Sequence, residues 1–223
     1  MAKIGIILSS WNRPNLITKT IESILEQSFT DWKLYIIENS HENIRKQVMN
    51  ALSQYSDSRI KIIKIHDQYL QIGESYNLGL SLLEEEEYIM FASDDVILEP
   101  NKLKLLYNFL ESNPDKSIVV GVLQVIEDGK SILNLGDFNC IPSGNCIINL
   151  AQPLIKRKVI DDIKGFNILS AWGAHPPDAE LFGRISEKGY KIYSIRIPTD
   201  FTLKRHYGNY QLWLKSKRGE LFE

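Results

Sequence analysis

The sequence predicts an α/β fold: a mostly parallel sheet flanked by helices on both faces, with a smaller, less regular region attached. Three observations lead there. Short apolar runs alternate with helical patterns from Ile4 to Ile126, the runs end in polar residues with defined chemistry, and the alternation breaks off where glycines appear at 129, 136 and 144.

The segments Ile4-Leu8, Leu34-Ile37, Ile60-Ile65 and Tyr88-Ala92 read as strands, each short, apolar and bounded by turn residues. Behind Pro14, whose missing N–H suits a first helical position, Leu16, Ile17, Ile21, Ile24 and Leu25 recur at helical spacing. Crossovers over 42–55 and 74–84 supply two more helices. Pro100 opens another, with Leu103, Leu106, Tyr107 and Leu110 on one face, and Ile118-Ile126 returns as a strand. Such strand-helix alternation places successive strands parallel, with helices covering the sheet. From Asp128 to about Leu150 the short polar-apolar alternation predicts β-hairpins or an irregular subdomain. A short helix near 154–163, a Gly165-Phe166-Asn167 turn, a helix at about 177–188 and the strand Lys191-Ile195 complete the pattern.

At 223 residues the chain can bury one sizeable core, so a single domain is expected. A net charge of −2 exerts no general pull on nucleic acid or an anionic membrane; nucleic acid is not an expected partner, and an anionic ligand must be held by local groups. No apolar run is long enough to be a transmembrane segment and the N-terminus lacks a signal-peptide pattern, which predicts a cytoplasmic protein. The Tyr207-Trp213 stretch with Lys215, Lys217 and Arg218 reads as a solvated terminal helix, with peripheral contact at the inner face of a membrane as the alternative. Cys140 and Cys146 match no zinc-ligand spacing and are expected as thiols in or near the core.

Ligands of open parallel sheets bind beyond the carboxyl ends of the strands. The first strand ends there in Ser9-Ser10-Trp11-Asn12-Arg13, the second in Glu38-Asn39-Ser40, the fourth in Ser93-Asp94-Asp95. Adjacent carboxylates directly after a fully apolar strand favour a hard divalent cation, Mn²⁺ or Mg²⁺, which leaves positions open for phosphate oxygens. The alternative is a helix-capping Asp with a solvated neighbour. Asp178 sits in the first turn of a helix whose Leu181, Phe182 and Ile185 follow at offsets of three, four and seven, which puts it on the inward stripe. It can act there as a proton acceptor or satisfy free N–H groups of the helix start. Glu180 lies about half a turn round from it and is expected to be exposed or to support the site.

Three segments in this order resemble the family 2 glycosyltransferases, and among them the spore-coat polysaccharide glycosyltransferases. They are Ile6 to Pro14 continuing through Ser23-Phe29 and Asp31-Leu34, then Phe91-Ala92-Ser93-Asp94-Asp95 with Pro100, then Gly165-Phe166-Asn167 with Pro177 to Arg184. The resemblance spans roughly 3–195 and implies the GT-A fold, a Rossmann-like sheet that binds a nucleotide-diphosphate sugar. Over 1–223 it implies one glycosyltransferase domain, with 1–97 as the nucleotide-sugar-binding half and 98–223 as the acceptor-binding half and tail. It further implies that Ser9 and Trp11 line the nucleotide site, with Trp11 either stacking on the base or packed at the strand end. Asn39 falls where many members have an aspartate that accepts the uracil N3–H. An amide can still accept it, which favours UDP or dTDP, although the reverse pattern would suit cytosine. Gly73 and Asn77 match a segment beside the donor, and Tyr76 stands where a basic residue often meets the diphosphate, so neutralisation is expected to rest more on the metal, with Arg13 or a C-terminal cation assisting.

Ser93 replaces the first acid of the family's metal motif. Asp95 is therefore implied as the metal ligand, with Asp94 on the ribose or a metal-bound water, and His206 as a further ligand or phosphate contact, a structural histidine being the alternative. Asp178 takes the position of the family's general base; Trp172, with Glu180 nearby, is implied on the acceptor or sugar side, with a packing role as the alternative for Trp172. Together these imply inverting, metal-dependent transfer to an acceptor hydroxyl of a carbohydrate or glycoconjugate, in polysaccharide or glycoconjugate synthesis. The departures at Asn39, Tyr76 and Ser93 keep open an inactive nucleotide-sugar-binding module. A nucleotidyltransferase would need a glycine-rich basic loop after the first strand, and Ser9-Ser10-Trp11-Asn12 is not one.

Overall fold

A computed structural model describes residues 2–65, 70–142, 148–168 and 177–203. In chain order the elements are β1 (Ile4–Ser10), α1 (Pro14–Leu25), β2 (Trp32–Glu38), α2 (Glu42–Leu52), β3 (Ile60–Lys64), α3 (Ile72–Ser81), β4 (Tyr88–Ser93) and β5 (Ile97–Leu98). There follow α4 (Lys102–Ser112), β6 (Ile118–Glu127), β7 (Lys130–Leu135), β8 (Cys140–Pro142), β9 (Leu154–Lys156), α5 (Arg157–Ile163), α6 (Pro177–Glu187) and β10 (Lys191–Leu203).

They form one sheet in the order β3-β2-β1-β4-β9-β6-β10-β5, with β7 beside β6 and β8 beside β10. The four N-terminal strands are parallel, and their register sets Ser10 opposite Glu38 and Ser9 opposite Ser93. The three polar strand ends therefore share one edge of the sheet. Period-two alternation divides the core. Ile4, Ile6, Leu8, Leu34, Ile36, Met90 and Ala92 pack on the face covered by α1 and α4, whereas Ile7, Tyr35, Ile37, Ile89 and Phe91 pack on the face covered by α5 and α6.

The expected helix over 154–163 is instead a strand followed by a helix. β9 fills the gap between β4 and β6, antiparallel to both, and α5 begins only at Arg157. Leu154 joins one core and Ile155 the other, as adjacent residues of a strand must. A buried run this short has the same apolar pattern in a strand as in the first turn of a helix. The 128–150 region does contain a hairpin, β6–β7, turning through Asp128 and Gly129, both at positive φ. Cys140 is exposed, against its expected place in the core, because β8 lies at the margin of the sheet.

β10 runs well past Ile195. It breaks register with β6 around Pro198, after Arg196 enters the left-handed region at φ 56°. Beyond that bulge Asp200 is buried in an ion pair with Lys102, whose ammonium also donates to the Ala151 carbonyl at 2.7 Å; Thr199 Oγ1 donates to Asp200 at 2.9 Å. Burial lowers the Lys102 pKa and raises that of Asp200, and each charge opposes the shift of the other.

Candidate functional site

The loop between β1 and α1 forms one wall of the site at the carboxyl edge of the sheet. Asn12 takes a left-handed conformation, φ 58°, which asparagine tolerates better than most residues. Its N–H donates to Ser40 Oγ at 2.8 Å and its side-chain oxygen accepts from the His41 N–H at 2.9 Å, which ties the ends of β1 and β2 together. The turn leaves Trp11 44 % exposed, its ring edge-on to His41 with centroids 5.8 Å apart. Of the two placements open for Trp11, the accessible one is found. Ser9 lies half-buried beside it, level with Ser93.

The acidic loop after β4 is held from three sides. Thr20 Oγ1 on α1 donates to the Val96 carbonyl at 3.0 Å, and Thr202 Oγ1 on β10 donates to the Asp95 carbonyl at 2.8 Å. Ser93 Oγ donates to Asp95 Oδ1 at 2.5 Å. From the third side, Arg13 Nη1 donates to Asp94 Oδ1 at 3.0 Å and Asp95 Oδ2 at 2.9 Å. The N–H of Trp11 reaches Asp94 Oδ2 at 3.3 Å. Burial pushes the Asp94 carboxyl up to about 6 despite the nearby guanidinium, and the Asp95 charge adds to the rise. The two acidic side chains keep the Arg13 guanidinium charged against its own partial burial.

Asn39 is buried. Its amide donates to the Leu70 carbonyl at 2.6 Å and to Ser75 Oγ at 3.4 Å, and its oxygen accepts from the Leu70 N–H at 3.0 Å. Both amide hydrogens are engaged, and the oxygen retains one acceptor site. Gly73 is buried at the start of α3, where Glu74 accepts the Gln71 N–H at 2.7 Å.

Asn77 does not offer its amide to the nucleotide side. It donates to the Phe166 carbonyl and accepts from the Phe166 N–H, both at 2.8 Å, and so fastens the Gly165-Phe166-Asn167 turn to α3. Gly165 is required there. Its φ is +69°, and a Cβ would lie 2.5 Å from Asn77 Oδ1. Tyr76, which stands in place of a basic residue, is buried, stacks on Phe166 at 5.3 Å and donates to the Ala92 carbonyl at 3.0 Å.

Asp178 stands at the start of α6, partly buried, on the helix whose Leu181, Phe182 and Ile185 are buried. Burial raises its pKa, opposed by the backbone N–H groups of Ala179, 2.9 Å from Oδ1, and of Asp178 itself. The charges of Asp94, Asp95 and Asp178 all add to the burial that raises the Tyr76 phenol. Glu180 is engaged within α6. It pairs with Arg184, whose guanidinium also donates to the carbonyls of Ile163 and Gly165, both at 2.7 Å. That network braces α6 against the same turn held by Asn77. The spacing Glu180-x-x-x-Arg184 carries this pairing in the sequence, as the signature of a helical ion pair.

Trp172, His206 and Cys146, together with the Tyr207-Trp213 stretch, lie outside the described residues. Among the described residues no group of three or more His, Cys, Asp or Glu side chains is placed to hold a metal ion. Asp94 and Asp95 nevertheless suit one: they are hard oxygen donors, close together and already turned to a cationic group, and a diphosphate and water can complete the coordination of Mg²⁺ or Mn²⁺. No helix among the described residues is long and apolar enough to cross a membrane.

A Rossmann-like sheet of this order, flanked by helices on both faces, is the fold class of the GT-A glycosyltransferases. The family model "Glycosyl transferase family 2" matches residues 5–173, more than half of the chain, and the chain belongs to that family. The poly(ribitol-phosphate) β-N-acetylglucosaminyltransferase TarP of Staphylococcus aureus is 27 % identical over 135 residues, covering 59 % of this chain and 40 % of TarP. Among solved structures, S. aureus TarS 1-349 in complex with UDP-GlcNAc superposes with a TM-score of 0.72 at 14 % identity, covering 91 % of this chain and 58 % of that one. The mannosyltransferase PcManGT of Pyrobaculum calidifontis, in complex with GDP-Man and Mn²⁺, superposes with a TM-score of 0.66 at 14 % identity, covering 94 % and 60 %. The chain thus spans less than two thirds of these relatives. At such identities the superpositions establish the fold, which is GT-A.

Proposed function

We propose that this chain catalyses inverting, metal-dependent transfer of a sugar from a nucleotide-diphosphate sugar to an acceptor hydroxyl of a carbohydrate or glycoconjugate. The observation that carries the reading is the pair Asp94 and Asp95, turned towards Arg13 at the carboxyl edge of the sheet, with the partly buried Asp178 at the start of α6. Family membership supports it, as do the glycosyltransferase activity in TarP's name and the sugar nucleotides bound by TarS and PcManGT.

The accessible face of Trp11 offers the base a stacking surface, with Ser9 beside it. Asn39 presents a remaining acceptor but no free donor, a pattern that suits the N3–H of uracil or thymine rather than the N3 acceptor of cytosine. UDP and dTDP sugars are the preferred donors on that ground. Asp95 would hold a divalent metal, with Asp94 directed to the ribose or a metal-bound water. The bound metal would neutralise charge on the departing diphosphate.

Asp178 accepts the proton of the acceptor hydroxyl as its oxygen bonds to the anomeric carbon. The bond from that carbon to the diphosphate breaks on the opposite side, so one displacement inverts the configuration. Partial burial raises the proton affinity of Asp178 towards what a late transfer needs. Residues 1–97 would form the donor half and 98–223 the acceptor half of one domain.

Incubation with Mn²⁺, a panel of nucleotide sugars and diverse acceptors tests the reading. Release of nucleoside diphosphate that is lost in both Asp95→Ala and Asp178→Asn is the expected result. Binding without turnover would instead favour a nucleotide-sugar-binding module, a reading supported by Ser93 in the acidic motif and by the guanidinium that already covers the two carboxylates.

A further inference from the structure

Arg13 connects the loop after β1 with the acidic loop after β4. Its Nη1 lies between Asp94 Oδ1, at 3.0 Å, and Asp95 Oδ2, at 2.9 Å. The other oxygen of Asp95 accepts from Ser93 Oγ at 2.5 Å. Both oxygens of Asp95 therefore already have a donor. With serine at position 93, the motif carries two negative charges and its neighbour one positive charge. The Arg13 side chain remains 41 % exposed, against 7 % for Asp94 and 15 % for Asp95, so it is the accessible member of the cluster. Its own backbone is the N-cap of α1, and the side chain makes no cap hydrogen bond that would restrain it.

We infer that Arg13 is a displaceable internal counter-ion: it competes with the metal for Asp94 and Asp95, and on release binds the diphosphate. The inference rests on the metal proposed at Asp95. A divalent cation coordinated by Asp95 Oδ2 would occupy the place of Nη1, and two cations at that separation repel strongly. The guanidinium must therefore leave as the metal enters. It is tethered at the edge where the diphosphate would meet that metal, and its planar fork matches two phosphate oxygens. Tyr76 is buried in the core and supplies no cation there, and among the described residues Arg13 is the cation paired with the acidic loop.

The metal alone then binds weakly, since it must displace an ion pair, and the nucleotide strengthens metal binding by accepting the released guanidinium. By linkage the metal strengthens nucleotide binding by the same factor.

The test measures Mn²⁺ binding directly, by the electron paramagnetic resonance of free Mn²⁺ and by calorimetry, on wild type, Arg13→Gln and Arg13→Lys, with and without UDP. Near-ultraviolet circular dichroism checks that each variant has native packing. Arg13→Gln should bind Mn²⁺ alone about tenfold more tightly than wild type, a difference of about 1.4 kcal/mol. Its enhancement of Mn²⁺ affinity by UDP should be smaller than that of wild type by about fivefold. Arg13→Lys keeps the counter-charge and should bind Mn²⁺ alone as weakly as wild type. Mn²⁺ binding no tighter in Arg13→Gln, or equal UDP enhancement in Arg13→Gln and wild type, overturns the inference while leaving a metal at Asp95 in place. No Mn²⁺ binding to any of the three proteins, even with UDP, overturns both.

Discussion

The side chain of Asn77 and the backbone of Phe166 exchange two hydrogen bonds, each 2.8 Å long, across 89 positions of sequence. They join α3 to the turn before the segment that leads into α6, and Arg184 grips the same turn from α6. The helix bearing Asp178 is thereby tied to α3, which packs on β1 and β2. Removing the amide in Asn77→Ala leaves two backbone groups without that partner and should destabilise the protein by about 1–3 kcal/mol. Chemical denaturation measures the loss. UDP affinity of the folded variant should change less than about twofold, since both hydrogen bonds of the side chain go to the Phe166 backbone.

Asp178 is placed where burial raises its pKa. The neutral, similarly sized replacement Asp178→Asn should lower kcat by about 10²–10⁴-fold, the usual contribution of a positioned base. Stability should respond in the opposite sense. A carboxyl whose folded pKa lies above its unfolded value binds its proton more tightly in the folded state, so wild-type stability falls as pH rises through that interval. The variant has no such penalty, and thermal unfolding should show it at least as stable as wild type at neutral pH, with any advantage shrinking on acidification. A large loss of stability at neutral pH would make Asp178 a structural helix acid.

Lys102 and Asp200 form a fully buried ion pair, which fixes the direction of two effects. Lys102→Met alone strands a buried carboxylate and should cost about 3–5 kcal/mol. Lys102→Met combined with Asp200→Leu removes both charges and should recover most of that loss. A double-mutant cycle by urea unfolding gives the coupling directly.

Trp11 is exposed and carries little of the core. Trp11→Ala should leave the unfolding midpoint nearly unchanged and weaken UDP binding by about 1–3 kcal/mol if its face stacks on the base. Calorimetric titration with UDP and with uridine separates the base contribution from that of the diphosphate.

The parallel half of the fold is legible in the sequence because each strand is a clean apolar run and each crossover helix has its own stripe; Pro14 even marks the first residue of α1. Leu154-Ile155 is not, since a three-residue strand is too short to show a period. The three carboxylates follow from strand-end and helix-face positions. The partners of Asn77, Glu180 and Asn39 do not, because an amide or carboxylate beside a candidate site has the same sequence signature whether it meets a ligand or another part of the backbone. Lys102 stands out least: a lysine beside a helix start reads as solvated, and its partner Asp200 is 98 positions away beyond a bulge.

The most direct measurement is a crystal structure of the chain with UDP and Mn²⁺, with Mn²⁺ located from its anomalous scattering. The account predicts the metal on the Asp95 carboxylate, the diphosphate on that metal, and the uracil against Trp11 with its N3–H on Asn39. A diphosphate bound away from Asp95, with Arg13 still joined to both carboxylates, would contradict it.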